Sequence, residues 1–210
     1  MSKFKVYVTR MLPGPALAKL QAQCDVKINI EDRPPSKQEL LAGVEDADAL
    51  LCLLTDKIKS STMKAAPKLK VISNVAVGYD NIDVKAATRR KILVTNTPGV
   101  LTQAVAEHTF ALLMTIARRT AEADRFARKG KYKGWSPTLF LGAELKGKTL
   151  GVMGLGRIGS VVANIAKNGY GMNVVYYSEH RDEQAEAQGI KYASFDEVLI
   201  WSDFLSIHVP

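Results

Sequence analysis

The 210 residues of this chain predict an α/β protein made of two successive units of parallel sheet. Short apolar runs of strand length alternate with helical segments from start to finish, which is typical of parallel sheets with crossover helices. One long helical segment interrupts this alternation after Gly99, and a glycine-rich turn at residues 154–159 begins a second series. The chain is therefore expected to have two parts, with a boundary near residue 100.

The first part alternates strand-like runs with helical stretches. Strands are expected at residues 4–9 (FKVYVT), 25–30 (DVKINI), 47–54 (ADALLCLL), 69–77 (LKVISNVAV) and 92–97 (ILVTNT). The third run is almost wholly apolar, as a strand covered on both faces should be. Ser36 and Glu39 have the spacing of a capping box, so a helix should begin there. Asp83 is expected to cap a short helix that extends through Thr88.

The second part opens with one long helix, expected over residues 102–129 and ended by Gly130. Its apolar stripe would comprise Val105, Leu112, Leu113, Ile116 and Ala117. A polar loop follows. The predicted order is then a strand at 149–154 (TLGVMG), a helix to about residue 167, a strand at 173–177 (NVVYY), helices near 182–188 and 194–201, and a strand at 204–209 (FLSIHV).

Composition and charge argue against several functional classes. Hydrophobic residues make up 47% of the chain, but no apolar run approaches the ~20 residues that span a bilayer. The N-terminus, MSKFKVYVTRM, lacks the apolar segment of an export signal. Cys24 and Cys52 occur in unrelated contexts, so neither a disulfide framework nor a metal site is expected, and a cytoplasmic location follows.

The net charge of +8 raises the question of nucleic-acid binding. The basic residues are dispersed, and their densest patch, between Arg118 and Lys133, is interleaved with Glu122 and Asp124. This pattern favours a solvated helix face. Attraction of an anionic cofactor or polymer is the alternative, and nucleic acid is not the expected partner.

The turn G-L-G-R-I-G, residues 154–159, follows an apolar strand and precedes a helix, which is the context of a dinucleotide-binding turn. Gly154 would permit the tight turn, Gly156 would let the backbone approach a diphosphate, and Gly159 would let the helix pack closely on the strand. The unpaired N–H groups at the helix start would then bind the phosphates. A tight turn without a ligand is the alternative.

The end of the next strand predicts which nucleotide binds. An acidic residue there usually bonds the ribose 2′-hydroxyl of NAD, whereas hydroxyl groups and Arg suit the 2′-phosphate of NADP. Ser178 and Arg181 favour NADP, while Glu179 keeps NAD possible.

Five segments in order resemble the D-isomer-specific 2-hydroxyacid dehydrogenase family, particularly its glyoxylate/hydroxypyruvate reductase branch. They are NVAVGYDNID (74–83), VTNTPGVLT (94–102), AEHTFALL (106–113), GKTLGVMGLGRIG (147–159) and SDFLSIHVP (202–210). The resemblance implies hydride transfer from NAD(P)H to a small 2-keto acid. It further implies a flavodoxin-like substrate-binding domain at 1–100 and an incomplete NAD(P)-binding Rossmann domain at 101–210.

The resemblance also implies roles for individual residues. Val77 and Gly78 would bind the substrate carboxylate through their backbone amides, and a purely structural turn is the alternative at Gly78. Trp135 resembles an aromatic residue that reaches the partner subunit in a homodimer, with ordinary packing as the alternative. The predicted cofactor contacts are Thr102, Gly154, Leu155, Gly156, Arg157, Ile158, Gly159, Ser178, Glu179, Arg181 and Val209.

No catalytic residue and no metal ligand is assigned. The resemblance places the family's Arg, Glu and His beyond the HVP segment that ends this chain. His108, His180 and His208 lie outside the catalytic context. The chain is therefore expected to be a truncated form that lacks the C-terminal third, leaves an apolar sheet edge uncovered and is inactive alone.

Two other functions stay open. A chain that keeps the nucleotide turn without the catalytic groups could be an NAD(P)-sensing binding module of the corepressor type. Within the enzyme class, phosphoglycerate and D-lactate dehydrogenases share the implied architecture.

Overall fold

The computed structural model describes residues 3–209. The chain divides into two compact units, one ending at Gly99 and the other beginning at Val100. Each has its own parallel sheet and its own apolar core.

The first unit is a five-stranded parallel sheet with connecting helices. Its strands are β1 (Lys5–Val8), β2 (Asp25–Ile28), β3 (Ala49–Leu53), β4 (Val71–Val75) and β5 (Leu93–Thr95). Its helices are α1 (Ala16–Gln23), α2 (Lys37–Val44), α3 (Ser60–Ala65) and α4 (Val84–Arg89). The order β2-β1-β3-β4-β5 is the flavodoxin-like order, so this part of the predicted fold class is confirmed.

The predicted helix starts are confirmed in the first unit. At α2, Glu39 N–H donates to Ser36 Oγ at 3.3 Å and Ser36 N–H donates to Glu39 Oε2 at 2.6 Å, a complete capping box. At α4, Ala86 N–H donates to Asp83 Oδ1 at 2.9 Å.

The central strands of the first unit carry its core. Leu50 pairs with Ile72 across β3 and β4, and both side chains are buried. Burial also raises the pKa of the Cys52 thiol to about 12. Cys52 is therefore a packing residue and remains a thiol at neutral pH.

The second unit is a four-stranded parallel sheet. Its strands are β6 (Thr149–Met153), β7 (Asn173–Tyr177), β8 (Lys191–Tyr192) and β9 (Phe204–Ile207). Its helices are α5 (Thr102–Ala117), α6 (Thr120–Arg128), α7 (Arg157–Asn164), α8 (Glu183–Ala187) and α9 (Phe195–Trp201), and α7 continues as a π-helical turn, Ile165–Gly169. The order β8-β7-β6-β9 corresponds to strands 3-2-1-4 of a Rossmann sheet, which confirms the second part of the fold class.

The single helix expected over 102–129 is wrong, because the chain breaks between α5 and α6. Arg119 is left-handed at the break, with φ of 54°. In a continuous helix Ala117 O would accept from Ala121 N–H, but here it accepts from Ala143 N–H at 2.8 Å. A Cβ on Gly142 would lie 2.3 Å from Ala117 O. Only glycine at position 142 leaves room for this hydrogen bond. The sequence feature that ends α5 therefore lies outside the helix.

The expected apolar stripe of α5 is only partly correct. The buried residues are Ala106, Phe110, Leu113 and Ala117, and Phe110 stacks on Tyr170 with ring centroids 5.2 Å apart. The other expected members, Val105, Leu112 and Ile116, are exposed along a cleft of about 540 Å³ beside the edge strand β9. Helix α5 therefore has two apolar faces, and only one of them is covered in the second unit.

Candidate functional site

The glycine-rich turn connects β6 to α7. Gly154 has φ of +89°, and a Cβ there would lie 2.8 Å from His208 O. Its N–H donates to Tyr177 O at 2.8 Å. The turn thus passes tightly between the ends of β7 and β9, and both its conformation and its space require glycine at this position.

The two other glycines of the turn have opposite surroundings. A Cβ on Gly159 would lie 2.1 Å from Gly154 O, so Gly159 is needed for close packing of α7 on the turn. A Cβ on Gly156 would have no atom within 4 Å. Gly156 is therefore not required by the packing of this chain, and its open space is what a closely approaching ligand would use.

The start of α7 presents unpaired backbone donors beside that open space. Gly156 is the N-cap and no side chain caps the helix, so the first N–H groups, from Arg157 onward, have no intrahelical acceptor. Leu155 is buried, Ile158 packs against the core and Arg157 is exposed. Free N–H groups at the positive end of a helix form an anion site, so the residues present fit a diphosphate.

Polar side chains follow β7 at the edge that holds the glycine turn. Ser178 is half-buried and Glu179 is exposed. Arg181 Nε donates to Glu186 Oε1 at 3.0 Å, and its guanidinium lies 5.0 Å from the ring centroid of Tyr192. The Arg181 guanidinium lowers the pKa of Glu186. Contacts within the second unit therefore hold Arg181 in place, and some of its N–H groups are already hydrogen-bonded.

The end of β9 adds an apolar wall to the glycine turn. Val209 Cγ1 would lie 3.1 Å from a Cβ on Gly154, so the structure brings this predicted contact to the turn. Thr102, the other predicted contact outside it, is the first residue of α5.

None of the three histidines is arranged for proton transfer. His208 Nε2 lies 2.8 Å from Ser206 Oγ, and burial lowers the pKa of His208. His108 and His180 are exposed. Within residues 3–209 no histidine forms an ion pair with a carboxylate.

The loop after β4 is a second place where backbone donors are free. Asn74 Nδ2 donates to Gly78 O at 2.8 Å, and Asn96 Nδ2 donates to Val77 O at 2.8 Å. The N–H groups of Val77 and Gly78 donate to no acceptor within residues 3–209. Side chains thus hold the carbonyls of this loop and leave its amides available for an anion.

An asparagine pair that was not predicted supports this loop. Asn74 is completely buried in β4, and its Nδ2 donates to Asn81 Oδ1 at 3.1 Å. Asn81 Nδ2 donates to Leu53 O at 3.1 Å and to Asp56 O at 3.0 Å. The pair ties the Val77–Gly78 loop to the end of β3. The polar residue inside the apolar run VISNV is the sequence signal for it.

Trp135, the predicted dimer contact, is 82% exposed in the long loop between α6 and β6. None of the helices within residues 3–209 combines the length and the hydrophobicity that a transmembrane span requires. In those same residues, His, Cys, Asp and Glu side chains nowhere form a group of three that could hold a metal ion.

Comparison with known proteins finds one matching family and several related enzymes. A family described as D-isomer specific 2-hydroxyacid dehydrogenase, catalytic domain, matches residues 6–195. Glyoxylate reductase of Korarchaeum cryptofilum is 49% identical over 210 residues, which are 99% of this chain and 63% of that protein. Glyoxylate reductase of Thermococcus litoralis is 47% identical over 213 residues, 99% of this chain and 64% of that protein. The chain thus spans less than two thirds of the length of these relatives.

Solved structures agree with the sequence relatives. A protein of Thermus thermophilus is 41% identical with a TM-score of 0.92, and the match covers 99% of this chain and 65% of the Thermus chain. D-lactate dehydrogenase of Aquifex aeolicus, solved with NAD and lactic acid, is 31% identical with a TM-score of 0.81, covering 98% of this chain and 60% of its own. An acyclic imino acid reductase solved with NADPH and D-Arg is 30% identical with a TM-score of 0.82, covering 99% of this chain and 66% of its own.

Proposed function

Because the chain belongs to the D-isomer specific 2-hydroxyacid dehydrogenase family, we propose that it is part of an oxidoreductase that transfers hydride from NAD(P)H to a small 2-keto acid, glyoxylate or hydroxypyruvate. One observation carries this proposal: free backbone N–H groups occur both at the start of α7 and in the Val77–Gly78 loop. The first suits a diphosphate and the second suits a carboxylate.

The chain's own residues bind and orient the reactants. The amides of Val77 and Gly78 hold the keto-acid carboxylate, and the Asn74–Asn81 pair fixes the loop that carries them. The open space at Gly156 admits the cofactor diphosphate to the N–H groups of Arg157 and Ile158. When bound, the nicotinamide cofactor supplies the hydride.

NADPH is the proposed cofactor, with NADH as the alternative. Ser178 offers a hydroxyl group where an acidic residue would repel a 2′-phosphate. Arg181 supplies positive charge at the same strand end, and Glu186 orients it while competing for its donors. Glu179 is the group that could bond a ribose hydroxyl of NADH.

Reduction of a carbonyl also requires a proton donor and a cationic clamp for the carboxylate. Burial keeps His208 neutral near pH 7, and it pairs with Ser206 rather than with a carboxylate. We therefore assign no catalytic residue within residues 3–209 and expect the 210-residue chain to bind nucleotide without reducing glyoxylate. A homodimer with the exposed Trp135 at its interface is part of the same proposal.

The proposal is tested by titrating the purified chain with NADPH and NADH, following protein fluorescence, and then measuring glyoxylate-dependent loss of NADPH absorbance. Saturable binding, tighter for NADPH, with no turnover is expected. Absence of nucleotide binding would refute the cofactor site, and turnover at the rate of a glyoxylate reductase would refute the assignment of no catalytic group.

An NAD(P)-sensing binding module is a second candidate. It is favoured by the absence of any histidine–carboxylate pair within residues 3–209. It predicts nucleotide binding that is unaffected by 2-keto acids, whereas the dehydrogenase proposal predicts that glyoxylate shifts the Val77 and Gly78 amide resonances.

A further inference from the structure

Within residues 3–209, three buried side-chain atoms lack a hydrogen-bond partner: Arg10 Nε, Asn29 Nδ2 and Asp56 Oδ1. The three residues follow β1, β2 and β3. These strands are neighbours in one parallel sheet, so their carboxyl ends meet at one edge. Buried polar atoms are nearly always hydrogen-bonded. Of the three residues, Asp56 also lines a cleft, so its unpartnered oxygen indicates a binding partner there.

This edge is where the strand order of the first sheet reverses. The chain progresses from β1 outward to β2 and then crosses back to β3 on the other side of β1. In open α/β sheets, ligands bind outside the carboxyl ends of the strands at such a switch point. The Val77–Gly78 loop follows β4, the next strand along, so it does not occupy the switch point.

A cleft of about 360 Å³ lies at this edge, between the start of α2 and the segment that joins β3 to α3. Three of its lining residues are lysines: Lys37, Lys57 and Lys59. None of them has an ion-pair partner among the described residues. Thr55 and Ser61 add hydroxyl groups to the lining.

The backbone fixes two of the lysines on one side of their segment. Ile58 N–H donates to Asn81 O at 2.9 Å, and the Ile58 side chain is completely buried. Residues on either side of a buried residue in an extended segment point away from it, so Lys57 and Lys59 share the face opposite Ile58. The cleft therefore has a concentrated positive charge that the fold itself positions.

Asp56 is the one acidic residue of the lining. Its Oδ2 accepts from Thr9 Oγ1 at 2.5 Å and from Leu53 N–H at 2.8 Å. Asp56 is only 3% exposed, and its Oδ1 has no hydrogen-bond partner among the described residues. A rigid acceptor with an unused oxygen requires a donor, such as a hydroxyl group.

We propose that this cleft binds a small phosphomonoester that carries a free hydroxyl group. The phosphate lies among Lys37, Lys57 and Lys59, and the hydroxyl group donates to Asp56 Oδ1. The combination of separate cationic donors with one buried acceptor favours such a ligand over inorganic phosphate. The O–H groups of inorganic phosphate are on the phosphorus itself, so the same group would have to face the lysines and donate to Asp56, whereas the ester has a separate hydroxyl group for Asp56. The site is independent of the proposed dehydrogenase function.

The test is a titration of the whole chain, labelled with ¹⁵N, with glycerol 3-phosphate, inorganic phosphate and glycerol. Glycerol 3-phosphate should bind saturably and about tenfold more tightly than phosphate, and glycerol should not bind. Amide shifts should include Thr55 and Ser61. Equal affinities for the two phosphates would refute the role of Asp56, and shifts confined to Arg157–Gly159 would place the phosphate on the glycine turn and refute the cleft.

Variants sharpen the test. Lys57→Gln combined with Lys59→Gln should weaken glycerol 3-phosphate roughly tenfold or more, with the melting temperature unchanged because both side chains are exposed. Lys85→Gln, at an exposed lysine of α4, is the matched control and should change nothing. Binding that survives the double variant, or that never saturates, is an adventitious ion only and overturns the proposal.

Discussion

Gly156→Ala separates the ligand-binding role of the glycine turn from its structural role. A Cβ at this position has no atom within 4 Å, and the φ of −81° is accessible to alanine. The variant should therefore fold, with a change in unfolding free energy below about 1 kcal/mol. The same methyl group would occupy the space that a diphosphate needs to reach the N–H groups of α7.

The expected loss follows from those donors. Charge-assisted hydrogen bonds contribute about 1.5–3 kcal/mol each, so removing the ligand from two N–H groups costs about 3–6 kcal/mol. This range corresponds to a weakening of nucleotide binding by about 10² to 10⁴. Isothermal titration calorimetry with NADPH measures it directly, and a thermal melt reports the fold.

Gly169→Ala is the matched control, since its Cβ would meet only Ile165 Cγ2, at 3.9 Å. It should leave nucleotide affinity unchanged. Gly159→Ala should instead destabilise the second unit, because its Cβ would lie 2.1 Å from Gly154 O. If Gly156→Ala binds NADPH as tightly as the parent chain, the diphosphate does not lie at this turn and the reasoning is wrong.

Three further predictions concern Arg181, Asn81 and His208. Arg181→Ala should weaken NADPH binding roughly tenfold and have little effect on NADH binding. Glu186→Gln should strengthen NADPH binding, because it frees the Arg181 guanidinium. Calorimetry with each nucleotide measures both effects, and an equal change in NADPH and NADH affinity would contradict the assignment. Asn81→Ala removes the donor of Asp56 O, whereas Leu53 O keeps the Asp56 N–H at 3.0 Å. The variant should lower the unfolding free energy by about 1–3 kcal/mol, measured by urea denaturation, and an unchanged midpoint would contradict it. Because burial lowers the pKa of His208 from 6.5, the unfolded chain binds this proton at a higher pH than the folded chain does. The stability of the fold should therefore fall as the pH drops below 6.5. His208→Gln should remove that part of the pH dependence, and identical melting profiles of the parent chain and the variant from pH 5 to 8 would contradict this prediction.

The sequence anticipates the parts of the fold that depend on local pattern. The run NVVYY (173–177) coincides with β7, and the Ser36 and Asp83 caps form as expected. The break at Arg119 could not be anticipated, because it depends on a carbonyl taken by Ala143, far along the chain. The same limit applies to α5, whose two apolar faces are distinguished only by the neighbours that cover one of them.

The candidate sites also divide into one that a local sequence pattern predicts and others that depend on the fold. The glycine turn can be predicted from the sequence because its three glycines lie within the single segment 154–159 and each has a separate physical reason. The Asn74–Asn81 pair and the lysine-lined cleft combine residues from different elements. Their members carry no common local pattern, so only the strand order brings them together.

The central claim is that backbone amides at the start of α7 bind a dinucleotide diphosphate. A crystal of the chain soaked with NADPH tests it most directly. The diphosphate should lie within hydrogen-bond distance of the Arg157 and Ile158 N–H groups, over the open face of Gly156. An empty turn with the nucleotide bound elsewhere would contradict the account.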